Sequence, residues 1–144
     1  MAKGPFLSGG CLCGGVRCEI AGSLGHASHC HCSMRRKRHG AAFGSYASTR
    51  RADFRWIAGE DLVARFASSP GIERGFFQRC GSTLFWDATE NAESFGVALG
   101  TLDGDPGVRP SLHIFVGSKA AWYEIADDAP KHETSPRAAA AKPA

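Results

Sequence analysis

Hydrophobic and polar residues of this chain alternate in short runs. The clearest run places Val16, Cys18 and Ile20 on one face and Arg17 and Glu19 on the other. A period of two is typical of a half-buried β-strand. Residues 26–32 are predicted to be extended, and further strands are predicted at 41–48, 53–57, 62–67, 74–78, 83–87, 95–99, 112–116 and 122–125. Short strands separated by Gly, Pro, Asp and Ser predict an all-β sandwich or barrel-like domain.

One short helix interrupts this pattern. Ser33 is predicted to cap a basic helix over residues 34–39, and Gly40 is predicted to end it. The run from Arg35 to His39 is densely positive. It is either a solvated helix face or a surface that binds an anion.

Length and composition indicate one globular domain over residues 5–130, followed by a disordered tail over 131–144. The chain has 144 residues, of which 43% are hydrophobic and 22% charged, as in ordinary globular proteins. The tail is rich in Ala, Pro and Lys and has no apolar periodicity.

No apolar run approaches the roughly 18 residues of a membrane span, and the first ten residues do not resemble a secretory signal. The cytoplasm is therefore the expected compartment.

The six cysteines carry the candidate chemistry. In a reducing compartment, clustered cysteines indicate metal binding or reactive thiols rather than disulfides. Cys11 with Cys13, and Cys30 with Cys32, are Cys-x-Cys pairs. On an extended backbone, side chains two residues apart point the same way, so both sulfurs can face one ion. The alternative is that the pairs are small buried side chains, as we predict for Cys18.

Several motifs, in order along the chain, resemble one known family. They are Gly9-Gly10-Cys11-Leu12-Cys13-Gly14-Gly15-Val16-Arg17, then His29-Cys30-His31-Cys32-Ser33-Met34, then Gly40-Ala41-Ala42-Phe43, then residues 76–84 around Cys80, and finally residues 113–125. Over roughly residues 7–130 the chain resembles the glutathione-dependent formaldehyde-activating enzymes, a family that also includes centromere protein V. The resemblance implies a mainly β fold, a β-tent-type zinc-binding domain of short antiparallel strands.

The same resemblance implies two zinc sites. In the family, a structural zinc is held by the early Cys-x-Cys and a later Cys-x-x-Cys, which implies Cys11, Cys13 and Cys80 as ligands here. A catalytic zinc is held by a Cys-x-Cys-x-x-Cys motif, which implies Cys30 and Cys32. Glutathione and formaldehyde combine at that second zinc to give S-hydroxymethylglutathione.

Two ligand positions of the family hold other residues in this chain. Phe77 stands where the later Cys-x-x-Cys begins, so the structural site keeps three thiolates. Three sulfurs with a water, a His or another Cys can still hold zinc; alternatively, Phe77 fills the space and the metal is absent. Of the two sites, the structural one is expected to keep its zinc.

At the second site, Arg35 replaces the third cysteine. A guanidinium has no acceptor atom for a metal, and two thiolates need help from His29, His31 or His39. Arg35 is instead expected to favour the thiolate form of Cys30 or Cys32, which would give a reactive dithiol.

The predicted function is glutathione-linked carbon–sulfur chemistry, resembling that of an S-(hydroxymethyl)glutathione synthase, a carbon–sulfur lyase. Cys30, Cys32 and Arg35 are the candidate catalytic residues. Arg35, Arg36 and Lys37 are candidates for binding a carboxylate of a small thiol substrate such as glutathione, since arginine suits that geometry. The alternative is an inactive module that binds zinc, an anion or nucleic acid. Nucleic acid is the less expected partner because the net charge is only +3.

Overall fold

The computed structural model describes residues 6–135 and shows a mainly β domain of short strands, which confirms the expected fold class. Within these residues, the strands are β1 (Phe6–Gly10), β2 (Arg17–Ala21), β3 (Ala27–Cys30), β4 (Gly44–Arg50), β5 (Phe54–Ala58), β6 (Val63–Ser69), β7 (Ile72–Phe77), β8 (Thr83–Ala88), β9 (Ser94–Ala98) and β10 (His113–Ile114). The helix α1 spans Ser33–His39. Short 3-10 turns lie at Arg51–Asp53, Glu60–Leu62, Leu99–Thr101 and Val116–Ser118.

The strands form two sheets. Three strands pair in the order β1-β2-β5, and seven pair in the order β10-β3-β4-β9-β8-β7-β6. The pairing is antiparallel throughout except between β10 and β3, which run parallel. This order places β3, which ends at Cys30, near one edge of the large sheet, between β4 and the short β10.

The alternating pattern of the second strand corresponds to its burial. Val16 and Ile20 are fully buried and Cys18 is 6% exposed, so Cys18 is a core residue as predicted. Burial raises the pKa of Cys18 to about 11, which keeps its thiol protonated. The sequence therefore identified the inner face of this strand correctly.

The last predicted strands differ most from the structure. The strand expected at 112–116 is reduced to two residues, and residues 122–125 form no strand. Phe115 adopts a left-handed backbone, with φ of 57°, and a 3-10 turn follows it. β10 ends at Ile114, the residue before this turn, and Trp122, further along the chain, is 72% exposed.

Residues beyond the predicted domain boundary at 130 still contact the sheet. The His113 N–H donates to the Pro130 carbonyl at 2.9 Å, and the His132 N–H donates to the His113 carbonyl at 2.9 Å. The rest of the predicted tail, 136–144, lies outside the described residues, and its disorder stays a prediction.

A buried carboxylate on β8 joins two cationic side chains. Asp87 is 4% exposed and accepts hydrogen bonds from Arg51 and from Arg65 Nη1, the latter at 3.0 Å. Burial alone would raise the pKa of Asp87, but these hydrogen bonds outweigh it and hold that pKa below its usual range. A depressed pKa contributes stability above the unfolded value near 3.9, and this stability is lost as the pH falls through the folded value.

We expect Asp87→Asn to lower the free energy of unfolding at neutral pH by about 2 kcal/mol, because two partly exposed arginines lose their shared charged partner. The deficit relative to wild type should shrink at about pH 3, where the wild-type carboxyl also begins to protonate. Urea unfolding at both pH values measures this. Asp105→Asn, which breaks an exposed ion pair with Arg109, is the control and should change little. An equal deficit for Asp87→Asn at both pH values would contradict the ion-pair explanation.

Candidate metal and thiol sites

Two loops bring three cysteines together. Cys11 and Cys13 follow β1, and Cys80 lies in the turn between β7 and β8; their sulfur atoms all lie within 4.8 Å of one another. The Cys11 and Cys13 sulfurs are 3.6 Å apart, and the backbone N–H of Val16 donates to Cys11 Sγ at 3.2 Å. Thiolates grouped in this way suit zinc, so the trio could hold a metal ion.

Phe77 occupies part of the space beside this trio. Its side chain is 1% exposed and packs in an apolar cluster with Cys11 and Val16. A Cβ placed on Gly15 would lie 2.8 Å from the Phe77 ring, so this ring packs closely against the loop that carries Cys11 and Cys13. The trio nevertheless stays together, and Cys13 is exposed, so a fourth ligand can arrive from solvent.

The second cysteine pair lies where β3 gives way to α1. Cys32 is the N-cap of the helix, and its sulfur accepts the Arg35 backbone N–H at 3.4 Å. The sequence assigned the cap to Ser33, one residue too late, because the thiol can serve as an acceptor at the position usually taken by a hydroxyl or carboxylate. Gly40, in the left-handed conformation, ends the helix as predicted.

The two thiols of this pair differ in character. Hydrogen bonding to Cys32, together with burial, raises the pKa of Cys30. The hydrogen bond from Cys30, the Arg35 backbone N–H and the positive charges of Arg35 and Arg74 lower the pKa of Cys32. This is the direction that the sequence predicted for the effect of Arg35. Its charge acts on both thiols, but only at Cys32 is the net pKa lowered.

The pair does not match a zinc site as well as the trio does. Over residues 6–135, no third Cys, His, Asp or Glu places a ligand atom within 4.8 Å of both sulfurs of Cys30 and Cys32. A tetrahedral zinc needs about four ligands, and catalytic sites use three from the protein. Among residues 6–135, the pair thus supplies two thiolates and no third ligand, one fewer than a catalytic zinc takes from a protein.

The histidines that the sequence offered as further metal ligands for this pair make other contacts. His29 Nδ1 lies 2.8 Å from Ser45 Oγ, and His39 Nε2 lies 2.9 Å from the Tyr46 hydroxyl. His31, which follows the end of β3 and lies between the two cysteines in sequence, is fully buried. Each ring is thus held by a neighbouring side chain rather than directed at the thiols.

His31 belongs to a buried chain of hydrogen bonds. Its Nε2 lies 2.8 Å from His113 Nδ1, and His113 Nε2 lies 3.0 Å from Asp127 Oδ2. Burial and the nearby His113 lower the pKa of His31 to about 4. His113 therefore joins the residue that follows β3 to the segment that contains Asp127.

A cleft of about 640 Å³ runs beside the cysteine pair. Its lining includes Cys30, Cys32, Arg35, Arg74 and Trp86. The guanidinium of Arg35 stands 3.7 Å from the centroid of the Tyr46 ring, a cation–π contact. The opening of the cleft thus combines thiols with positive charge.

The predicted anion-binding residues divide in the structure. Arg35 lines the cleft, whereas Arg36 and Lys37 do not. Arg36 Nε donates to the Ser118 carbonyl at 3.0 Å, and Lys37 is exposed. Arg74 on β7 lines the cleft as well. It was missed from the sequence alone, because Arg74 is far from Cys32 along the chain and its neighbours form no motif.

Comparisons with known proteins agree with this combination of a mainly β fold and clustered cysteines. The chain belongs to the glutathione-dependent formaldehyde-activating enzyme family, whose model matches residues 6–118. It is similar to an uncharacterized lyase of Schizosaccharomyces pombe, with 23% identity over 123 residues, 85% of this chain and 88% of that protein. It is also similar to the crystal structure of a Rhodobacter sphaeroides protein, with a TM-score of 0.57, 27% identity and coverage of 72% of this chain and 91% of that one.

These findings confirm the resemblance given by the motifs. Family membership suggests glutathione-related formaldehyde chemistry and a lyase-like enzyme. Among the described helices, none is long and apolar enough to cross a membrane.

Proposed function

We propose that this protein is a carbon–sulfur lyase-like enzyme that joins a thiol such as glutathione to a small aldehyde, or cleaves the adduct, at an altered site. The observation that carries the proposal is the cleft that holds Cys30, Cys32 and Arg35 together. In the forward direction the thiol sulfur bonds to the carbonyl carbon, and the carbonyl oxygen takes up the proton that the thiol gives up. The reverse reaction breaks the same bond.

Arg35 would supply positive charge at the position where the family has a third cysteine. Negative charge builds up on sulfur and on the carbonyl oxygen during the addition, and a buried, fixed cation stabilises it. The reacting group would lie between the thiols of Cys30 and Cys32 on one side and the guanidinium of Arg35 on the other. Arg35 would also bind a substrate carboxylate through its planar donors.

We also propose that Cys11, Cys13 and Cys80 hold one structural zinc, completed by a ligand from solvent. Such an ion would fix the loop after β1 to the turn between β7 and β8, and structural zinc contributes directly to folding. A zinc site of this kind needs free thiols, and a reducing compartment keeps thiols free. We therefore propose the cytoplasm as the location of this protein.

The test measures the formation of the adduct from glutathione and formaldehyde. NMR exchange spectroscopy gives the rate, with protein that has been purified without chelator. We expect the wild-type chain to accelerate the exchange above the uncatalysed rate. Arg35→Cys restores the family's motif. A faster rate in this variant would show that the altered site is a weakened version of the family's site, and a slower rate would show that Arg35 itself contributes to the reaction. A folded wild-type protein without any acceleration would contradict the enzymatic proposal and favour a module that only binds anions.

A further inference from the structure

Buried positive charge is concentrated behind the cysteine pair. Arg35 and Arg74 are only 7% and 6% exposed, and Arg38 lies close to both. Among the ion pairs formed by residues 6–135, none includes any of these three arginines. Buried charges in proteins are normally paired, because an unpaired one loses its hydration without compensation. The single thiolate of Cys32 beside these arginines cannot balance all three positive charges.

Several donors of these arginines also lack acceptors. Arg35 Nε, Arg35 Nη1 and Arg74 Nη1 are buried and have no hydrogen-bond partner. The other nitrogens of Arg74 are held in place, since Nε donates to Ser68 Oγ at 2.9 Å and Nη2 donates to Met34 Sδ at 3.3 Å. Met34 is in the first turn of α1, so its contact brings Arg74 beside the Cys32 cap.

Arg35 contacts an aromatic ring while two of its nitrogens have no acceptor. Its Cζ atom lies over the Tyr46 ring, 3.7 Å from the centroid, and its Nε and Nη1 form no hydrogen bond. The N–H groups point outward in the plane of the guanidinium, the geometry that receives a carboxylate through two hydrogen bonds. Arg35 and Arg74 line the same cleft as the thiols, so an anion held by them would lie next to the reacting sulfurs.

We propose that Arg35 and Arg74 bind the carboxylate of the aldehyde itself, so that the preferred substrate is a short aldehyde acid rather than uncharged formaldehyde. The reaction with an aldehyde acid rests on the proposed function, whereas the binding of a carboxylate by Arg35 and Arg74 does not. In a two-carbon aldehyde acid the carboxylate is one bond from the carbon that sulfur attacks. The carboxylates of glutathione are separated from its sulfur by peptide bonds, and they match a site beside the thiols less well.

Binding is tested first, without any reaction. Glycolate carries the carboxylate of the two-carbon aldehyde acid glyoxylate but has no aldehyde, and ethylene glycol is its uncharged counterpart. In isothermal titration calorimetry, wild type should bind glycolate and not ethylene glycol. Arg74→Gln should weaken glycolate binding by about tenfold or more, and Arg74→Lys should retain part of it. Arg50→Gln, at an exposed arginine, is the matched control and should bind as wild type does.

Turnover then separates the two sources of a carboxylate. We expect kcat/KM for glyoxylate to exceed that for formaldehyde by about tenfold or more, and Arg74→Gln should reduce this ratio with either glutathione or 2-mercaptoethanol as the thiol. A defect that appears with glutathione but disappears with 2-mercaptoethanol would assign the site to the thiol substrate and overturn the proposal. Absence of glycolate binding to folded wild type would also overturn it. Glycolate binding lost in Arg74→Gln, without any turnover in wild type, would support the anion site while contradicting the proposed function.

Discussion

Cys32→Ser should reduce kcat/KM for adduct formation by at least about a hundredfold and leave the fold intact. The substitution removes the sulfur that faces the cleft. A serine hydroxyl is a good N-cap, so it can still accept the Arg35 N–H that Cys32 Sγ accepts at 3.4 Å. Helix α1 and the position of Arg35 should therefore persist. Steady-state kinetics with glutathione and an aldehyde, together with circular dichroism, measure both parts of the expectation.

Cys18→Ser is the matched control, because it makes the same exchange of sulfur for oxygen at a core position. Cys18 lies on β2 and does not line the cleft. This variant should lose stability and keep its turnover per folded molecule. If Cys32→Ser keeps more than about half of the wild-type rate, its sulfur has no part in the transition state.

Cys11→Ser is expected to have the largest effect on stability. Wild type should carry one zinc per chain after purification without chelator, and the variant should carry little. Loss of one of three thiolate ligands in a structural site should lower the free energy of unfolding by about 3 kcal/mol, which lowers Tm by about 10 °C in a chain of this size. Elemental analysis and calorimetry measure the two effects.

Cys30→Ser separates the two cysteine groups in the same experiment. It should keep the single zinc, because Cys30 is not part of the trio whose sulfurs lie within 4.8 Å of one another. Two zincs in wild type, with one lost in Cys30→Ser, would show that the pair near Arg35 binds metal after all. A wild type without metal would show that Phe77 packing has replaced the ion.

The sequence predicted those parts of the site that a local motif or the family resemblance marks. Spacing identified Cys11 with Cys13, the resemblance added the distant Cys80, and the structure groups all three. The period of two identified the buried face of β2 for the same reason, because alternation is a local property of extended backbone.

Arg74 could not be found in this way. Its place beside Arg35 depends on how β7 packs against α1, a contact between segments that are far apart in sequence. The sequence predicted only part of the role of Arg35. Its position in the motif showed a missing ligand, but its contact with the Tyr46 ring depends on the pairing of β3 with β4 and could not be predicted. Residues 122–125 form no strand, because an apolar pattern does not show whether a neighbouring strand is available for pairing. Nor does it show the left-handed turn at Phe115 earlier in the chain.

The position of β3 has a consequence for the order in which the protein is completed during synthesis. Its inner neighbour, β4, follows within the next 20 or so residues, but its outer neighbour, β10, begins only at His113. The ring of His113 that covers His31 is held in turn by Asp127. A ribosome-bound chain would therefore expose the edge that carries Cys30 until β10 and Asp127 have emerged, long after β4 has become available for pairing.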